Sequence, residues 1–280
     1  MKVQCKNIML YMEQLAPASL AEDWDNVGLI LGSGEKEIKR ILLCLDVTSE
    51  VVEEALSSDV DLVISHHPII FKKIGRINES EYKGSLLYKL IKADISVFCA
   101  HTNLDVVEGG VNRKLAEKLE LNDIIGLKNP MLPIDSTESI KKEGKTVRSP
   151  FIYGLGAVGN LKQGLSIKEF ITFVKEKLDV ENVRMVGHDD KTVKKIAVFC
   201  GSFDDDLKPI LAHGADILVT GDLKYHTAVD ALGMGMCIID AGHFNTEKII
   251  LPVLKEVLAS EFPDIDVICS KMVSDPFKTY

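Results

Sequence analysis

An α/β protein made of two copies of one plan, helix, strand, then three strand–helix units, is what this 280-residue sequence predicts. Three observations carry the prediction. Short apolar runs of strand length alternate with amphipathic stretches of helical period, the pattern of mixed, mostly parallel sheets. Segments of the first half recur in the second at a constant offset of 155 residues. Polar, metal-competent side chains gather where the apolar runs end, and in parallel sheets ligands bind outside the carboxyl ends of strands.

The first half opens with a helical face of Ile8, Met9, Met12 and Leu15, stopped by Pro17. Strands follow at "VGLILG", "RILLCLD", "DLVIS" and "SVFCAH", with helices at "SEVVEEALSS", "SLLYKLIKA" and "VNRKLAEKLE". In the second half Ser166 caps "SIKEFITFVKEKL", with Glu169 in the capping-box position and Ile167, Phe170, Ile171, Val174 and Leu178 on one face. Strands at "VRMVG", "KIAVFCG", "ADILVTG" and "MCIID" are separated by helices around 205–213, 224–232 and 246–258. "KRI" at 39–41 matches "KKI" at 194–196, "DLVISHH" at 61–67 matches "DILVTGD" at 216–222, and Gly32 matches Gly187, all in one register. These features divide the chain into a first repeat over 1–125, a linker over 126–150 and a second repeat over 151–280. The stretch "FKKIGRINESEYK" is extra to the first half and reads as a surface insertion.

Composition narrows the function. A net charge of −9 argues against broad binding to a phosphate backbone, and "KKEGKTVR" at 141–148 reads as a solvated loop. The six cysteines lack C-x-x-C spacing, and five lie inside strand-like runs, so they read as small buried hydrophobes of a reducing compartment. No window reaches the roughly 18 apolar residues of a membrane span, and the N-terminus lacks the apolar core of a signal peptide. A cytoplasmic protein is expected.

The strand tips supply His66, His67, His101, Asp105, His243 and Glu247, with Asp46 ending a further strand. Imidazole and carboxylate together form a ligand set for Zn, Mn or Fe. His243 and Glu247 stand four apart. One helical turn would bring them together, or Asn245 would cap the helix with His243 in its approach. A donor set of this size exceeds the three ligands that an open catalytic zinc takes, and two ions bridged by a carboxylate fit the count better. His188 and His213 read as surface residues. "DNVG" and "EGGVN" read as turns near the site.

"DNVGLILG", "ISHHPIIF", "AHTNLDVVEGGVN", "TGDLKYH", "DAGHFNTE" and "SDPF" occur in an order that resembles the Nif-three-like family of dinuclear-metal-centre hexameric proteins. Its bacterial members are often named GTP cyclohydrolase 1 type 2 homologues. The resemblance spans essentially the whole chain. It implies two intertwined repeats with the first strand of each antiparallel, and a toroidal homohexamer. It also implies two divalent metal ions (Zn, Fe or Mn) per chain on His66, His67, Asp105, His243 and Glu247, with Glu247 bridging. Members of a longer subgroup carry an extra domain between the halves, for which 126–150 is too short. Where the family has a glycine-rich turn, this chain reads "VFCGSFDDDL", whose aspartates would repel a phosphate. A hydrolase acting on a nucleotide-like substrate is the leading expectation, with a phosphoesterase or a non-enzymatic metal-binding scaffold as alternatives. His226 and His101 are the candidates for proton transfer, and for each a hydrogen-bonding role stands beside the catalytic one.

Overall fold

A computed structural model describes residues 2–127, the backbone of 140–142 and 145–147, and residues 154–278. Most of the expected linker and the basic run at 141–148 therefore lie outside the described side chains. Two compact units are present. One comprises Met1–Leu104 with Ile250–Pro276, and the other Asp105–Ile249 with Phe277–Tyr280.

The first unit begins with α1 (Cys5–Leu15), whose Ile8 and Met12 are buried. Then come β1 (Gly28–Leu31), β2 (Arg40–Cys44), α2 (Ser49–Ser57), β3 (Leu62–Ser65), α3 (Tyr82–Lys92) and β4 (Ser96–Cys99). The C-terminal α10 (Ile250–Glu261) and β13 (Asp266–Cys269) complete it. Its sheet runs β1-β4-β3-β2-β13. β1 is antiparallel to β4, and every other pairing is parallel. β2, β3 and β4 are buried at nearly every position, as the inner strands of a covered parallel sheet should be. Thr48 caps α2 through Val51 N–H, and Val51, Val52 and Ala55 pack with Leu86, Leu87 and Leu90 of α3 over one sheet face. The extra stretch from Phe71 is an exposed loop, as expected of an insertion.

The short α4 (Thr102–Asp105) ends the first stretch of the first unit, and its last residue, Asp105, opens the second unit, which contains α5 (Val111–Lys118), β5 (Asn122–Gly126), the hairpin β6 (Ile140–Lys142) and β7 (Lys145–Val147), and β8 (Ala157–Ser166). The second unit continues through α6 (Ile167–Leu178), β9 (Arg184–Val186), β10 (Thr192–Ser202), α7 (Lys208–Ala212) and β11 (Ile217–Gly221). It closes with α8 (Tyr225–Gly233), β12 (Cys237–Asp240) and α9 (His243–Glu247). Its sheet runs β5-β8-β10-β11-β12-β9, parallel across β10-β11-β12 and antiparallel on both flanks. The capping box of α6 forms as read: Ser166 N–H donates to Glu169 Oε2 at 2.8 Å, and Glu169 N–H to Ser166 Oγ.

The duplication has a structural signature. Asp61 Oδ2 accepts the backbone N–H groups of Lys39 and Arg40 at 2.7 and 3.0 Å. At the equivalent positions Asp216 Oδ2 accepts those of Lys194 and Lys195, both at 2.8 Å. In each unit a carboxylate at the start of one strand thus satisfies the N–H groups entering its neighbour, which fixes the register of the parallel pair.

Two expectations are corrected. The helix expected around 246–258 is two helices: α9 starts earlier, at His243, and α10 starts at Ile250. Gly242 enters α9 at φ 89°, a conformation closed to most side chains, and so the helix begins three residues before Asn245 could cap it. Asn245 Nδ2 instead donates back to Ala241 O at 3.0 Å. The strands β5, β6, β7, β8 and β13 were not anticipated: "NDIIG" and "AVGNLKQGLS" are too polar and too Gly-rich to stand out as strand, and β13 is only four residues long. The described backbone of the run at 141–148, expected to be a loop, belongs to the β6–β7 hairpin.

Candidate metal centre

In the first unit the backbone extends β3 past its last strand residue. His66 N–H donates to Cys44 O at 3.1 Å and His67 N–H to Leu45 O at 2.8 Å, so both histidines emerge in fixed directions at the sheet's carboxyl edge. His66 is buried and the His67 side chain is 20 % exposed; past the end of β3 the strand alternation no longer holds, and the two rings lie 5.0 Å apart between centroids. Pro68 then stops the pairing. His101, just beyond β4, joins them, and one ring nitrogen from each of His66, His67 and His101 lies within 4.8 Å of the others.

Each imidazole is held from behind. His66 Nδ1 donates to Ala100 O at 2.9 Å, His67 Nδ1 to Asp46 Oδ1 at 3.0 Å, and His101 Nδ1 to Asp25 Oδ1 at 2.9 Å. In the neutral imidazole, donation from Nδ1 leaves the lone pair on Nε2, and a metal-ligating histidine needs this second partner. Sequence reading placed Asp46 at a strand tip but gave Asp25 only a turn-shaping role. Its carboxylate is in fact a hub that also accepts Thr102 N–H at 3.1 Å, Thr102 Oγ1–H at 2.5 Å and Asn26 N–H at 2.7 Å. Burial alone would raise the Asp25 pKa, but the bonds from His101 and Thr102 outweigh it and hold the carboxyl at about 2. A depressed pKa means that the ionised carboxylate stabilises the fold above about pH 4 and loses that contribution as pH falls toward 2. Asp25→Asn is therefore expected to cost about 2 kcal/mol at neutral pH. Urea unfolding at pH 7 and again between pH 4 and 2 checks this, since the gap to wild type should narrow in acid.

In the second unit α9 carries His243 and Glu247 on one helical turn, with His243 Nε2 at 3.1 Å from Glu247 Oε2. Two donors at about 2.1 Å from one ion and at right angles to each other stand about 3 Å apart, so this spacing suits a shared metal. His243 Nδ1 donates to Asp222 Oδ2 at 2.9 Å, repeating the carboxylate–histidine arrangement of the first unit. Glu247 and Asp105 are buried. Asp240, also buried, accepts Leu223 N–H and Gly242 N–H and pairs with Arg184, which secures the approach to α9.

Asp105 has two partners that sequence reading missed. The buried Cys200 Sγ–H donates to Asp105 Oδ1 at 3.3 Å. Asn112 Nδ2 donates to Asp105 O at 3.1 Å, while its Oδ1 accepts Cys200 N–H at 2.8 Å. Cys200 is therefore more than the small hydrophobe expected of it. Burial first, then the negative charge of Asp105 and Glu247, pushes its thiol well above the ordinary range, so it stays protonated and serves as a donor. The other cysteines are buried in the strands or helices that carry them, apart from the half-buried Cys269, and no disulfide joins any of the six.

His226 is exposed at the start of α8, edge-on to Tyr225 at 5.4 Å between ring centroids, and belongs to neither donor group. His188 is exposed, and His213 is half-buried at the C-terminal cap of α7. The acidic run Asp204–Asp206 faces solvent. Its carboxylates accept from Lys224, Thr227, Asp206 N–H and Lys208 N–H.

These donor groups could hold metal, and the fold around them is shared. Residues 3–276 match the family model Duf34/NIF3 (NGG1p interacting factor 3). The chain belongs to this family. A GTP cyclohydrolase 1 type 2 homolog of Clostridium perfringens is 36 % identical, with 99 % of each chain covered. The Bacillus subtilis protein of that name is 32 % identical over 367 aligned positions, with 98 % of each covered, and so carries residues that this shorter NIF3 chain lacks. Among solved structures, a hypothetical protein of Staphylococcus aureus superposes with a TM-score of 0.88 at 32 % identity over the full length of both chains. HcgD of Methanocaldococcus jannaschii superposes with a TM-score of 0.77 at 30 % identity, covering 97 % of this chain and 99 % of that one. No helix among the described residues is long and apolar enough to cross a membrane.

Proposed function

We propose that this NIF3 protein is a metal-dependent hydrolase of a nucleotide-like substrate, holding two divalent ions on His66, His67, Asp105, His243 and Glu247. The observation that supports it most is the common posture of the histidines. His67, His101 and His243 each donate Nδ1–H to an aspartate, and His66 donates to a carbonyl, so in the neutral imidazole Nε2 of all four carries the lone pair that a metal requires. When bound, paired ions lower the pKa of water to near neutral and clamp the leaving atom. Glu247 is the carboxylate suited to bridge them, because it is buried and already adjacent to a ligand imidazole. His101, in the same ring cluster as His66 and His67 and backed by an ionised Asp25, is better sited to pass a proton at the reacting centre than the exposed His226. The relatives' shared name makes GTP the first nucleotide to try. A homohexamer is the assembly we propose, from the family resemblance.

Elemental analysis of protein purified without chelator is expected to give about two equivalents of metal per chain, and His66→Ala should lower it. A value of one that the substitution leaves unchanged would reject the paired centre. Turnover is then tested on GTP, related nucleotides and simple phosphate esters, with chelated protein as the control. His101→Ala should cost about 10²–10⁴-fold in rate with metal retained, and His226→Ala much less. Wild-type turnover no faster than the chelated control on every substrate would leave a metal-binding scaffold as the better description.

A further inference from the structure

We infer that Trp24 and Phe71 form the stacking wall of a subsite for a planar nitrogen heterocycle, purine in size, whose polar edge meets His101. As a substrate subsite it rests on the metal-centre proposal; as a binding site it stands on its own geometry.

The wall is an exposed aromatic pair held in a rigid frame. Trp24 is 58 % exposed and Phe71 52 %, with ring centroids 5.7 Å apart. Such large apolar faces in water are costly unless something covers them. They are not loose loop residues. Asn26 Nδ2 donates to Ile70 O at 2.7 Å, which ties the segment bearing Trp24 to the segment bearing Phe71. Asp25 bonds His101 and Thr102, and Glu22 N–H donates to Thr102 Oγ1 at 3.0 Å, so the residues flanking Trp24 are anchored beside His101. Here the sequence "DNVG", read only as a turn, has its second use.

The wall ends on the imidazole cluster. The His101 ring stands edge-on to both aromatics, 6.0 Å from Trp24 and 6.5 Å from Phe71, and 5.2 and 5.3 Å from His66 and His67. The two rings are inclined at 58°, so a planar ligand stacks on one of them, meets the other at its edge and has hydrogen-bonding imidazole at its rim. A heterocyclic base offers both, with a π-face to stack and ring nitrogens and exocyclic groups at its edge. A sugar has no π-face, and an aliphatic chain lacks the edge. Glu22 and Asp23, next to Trp24, disfavour a phosphate there, so the base would lie inward and any phosphates outward.

The chain has a single tryptophan, so its fluorescence reports on Trp24 alone. Metal-loaded, full-length protein is titrated with guanosine and, in parallel, with ribose 5-phosphate, which has no base. The expected result is saturable quenching by guanosine and none by ribose 5-phosphate at the same concentrations. Stacking on an aromatic side chain carries roughly 5- to 150-fold in affinity per base, so Phe71→Ala should weaken guanosine binding at least about fivefold. The exposed position of Phe71 makes the substitution easy on the fold. Equal quenching by both compounds, or wild-type affinity in Phe71→Ala, overturns the subsite. So does Trp24 emission that shifts with protein concentration and ignores guanosine, because the wall is then covered by a second copy of the chain. Metal is measured on the same samples. Two equivalents without base-dependent quenching removes the subsite and leaves the metal centre standing; guanosine binding by metal-poor protein does the reverse.

Discussion

Glu247→Gln is expected to weaken metal binding by more than about 100-fold, the upper end of what loss of an outer partner alone costs. The substitution keeps the side chain's size and removes the charge, and a neutral amide is a poor bridge between two cations. It also turns an N–H group toward His243 Nε2, now 3.1 Å from a carboxylate oxygen. The effect on stability should reverse with metal. Glu247 and Asp105 both lie close enough to Cys200 to raise its thiol pKa, so two buried carboxylates share one neighbourhood. In chelated protein, removing one of these like charges relieves repulsion, and the variant should melt no lower than wild type. With metal at a hundred times its dissociation constant, wild type gains about 2.7 kcal/mol by mass action, and the variant gains almost nothing. Thermal melts with and without chelator read both arms. A variant that is less stable in chelator and equally stabilised by metal would mean that Glu247 is a packing residue.

Gly201→Ala is expected to cost about 2–4 kcal/mol and to reduce metal affinity with it. Gly201 has φ +66°, and a Cβ there would stand 2.3 Å from Glu247 Oε1 and 3.4 Å from His243 Cε1. The added methyl would have to displace the carboxylate or tilt α9. Gly214→Ala isolates the backbone contribution, because Gly214 has φ +68° with nothing within 4 Å of the same position. That control should cost only about 1 kcal/mol, the strain of a left-handed alanine. The difference between the two, measured by urea unfolding of chelated protein, is the price of crowding the carboxylate. Equal losses would show that the space beside Glu247 is not needed.

Apart from the repeat at an offset of 155 residues, the features that could be read from sequence were local ones. Alternation of apolar strands and amphipathic helices, the capping box at Ser166 and the strand-tip histidines all lie within a few residues of each other, and each leaves a pattern. The partners of those histidines leave none. His101 and Asp25 are 76 positions apart, and His67 and His243 are each 21 from their aspartates. Only the folded sheet edge brings such residues together. Cys200 was misread for a related reason, since an apolar run gives the same signal whether a cysteine packs against leucine or donates to Asp105. β13 escaped notice because four residues at the end of the chain carry little period, and their pairing with β2 is set by tertiary structure alone.

That last pairing governs how the protein is made. Arg40 of β2 and Asp266 of β13 pair across 226 residues of sequence. At a ribosome adding about 5–20 residues per second, β2 waits roughly 10–45 s for its neighbour to be synthesised. During that time the second unit, whose sheet is contiguous in sequence from Asn122 to Asp240, can form in full. The first unit, though translated earlier, keeps an open strand edge of "RILLC" until Asp266–Cys269 has been synthesised. Nascent chains stalled before residue 266 should therefore be the aggregation-prone species, and holdase chaperones should engage them through that edge.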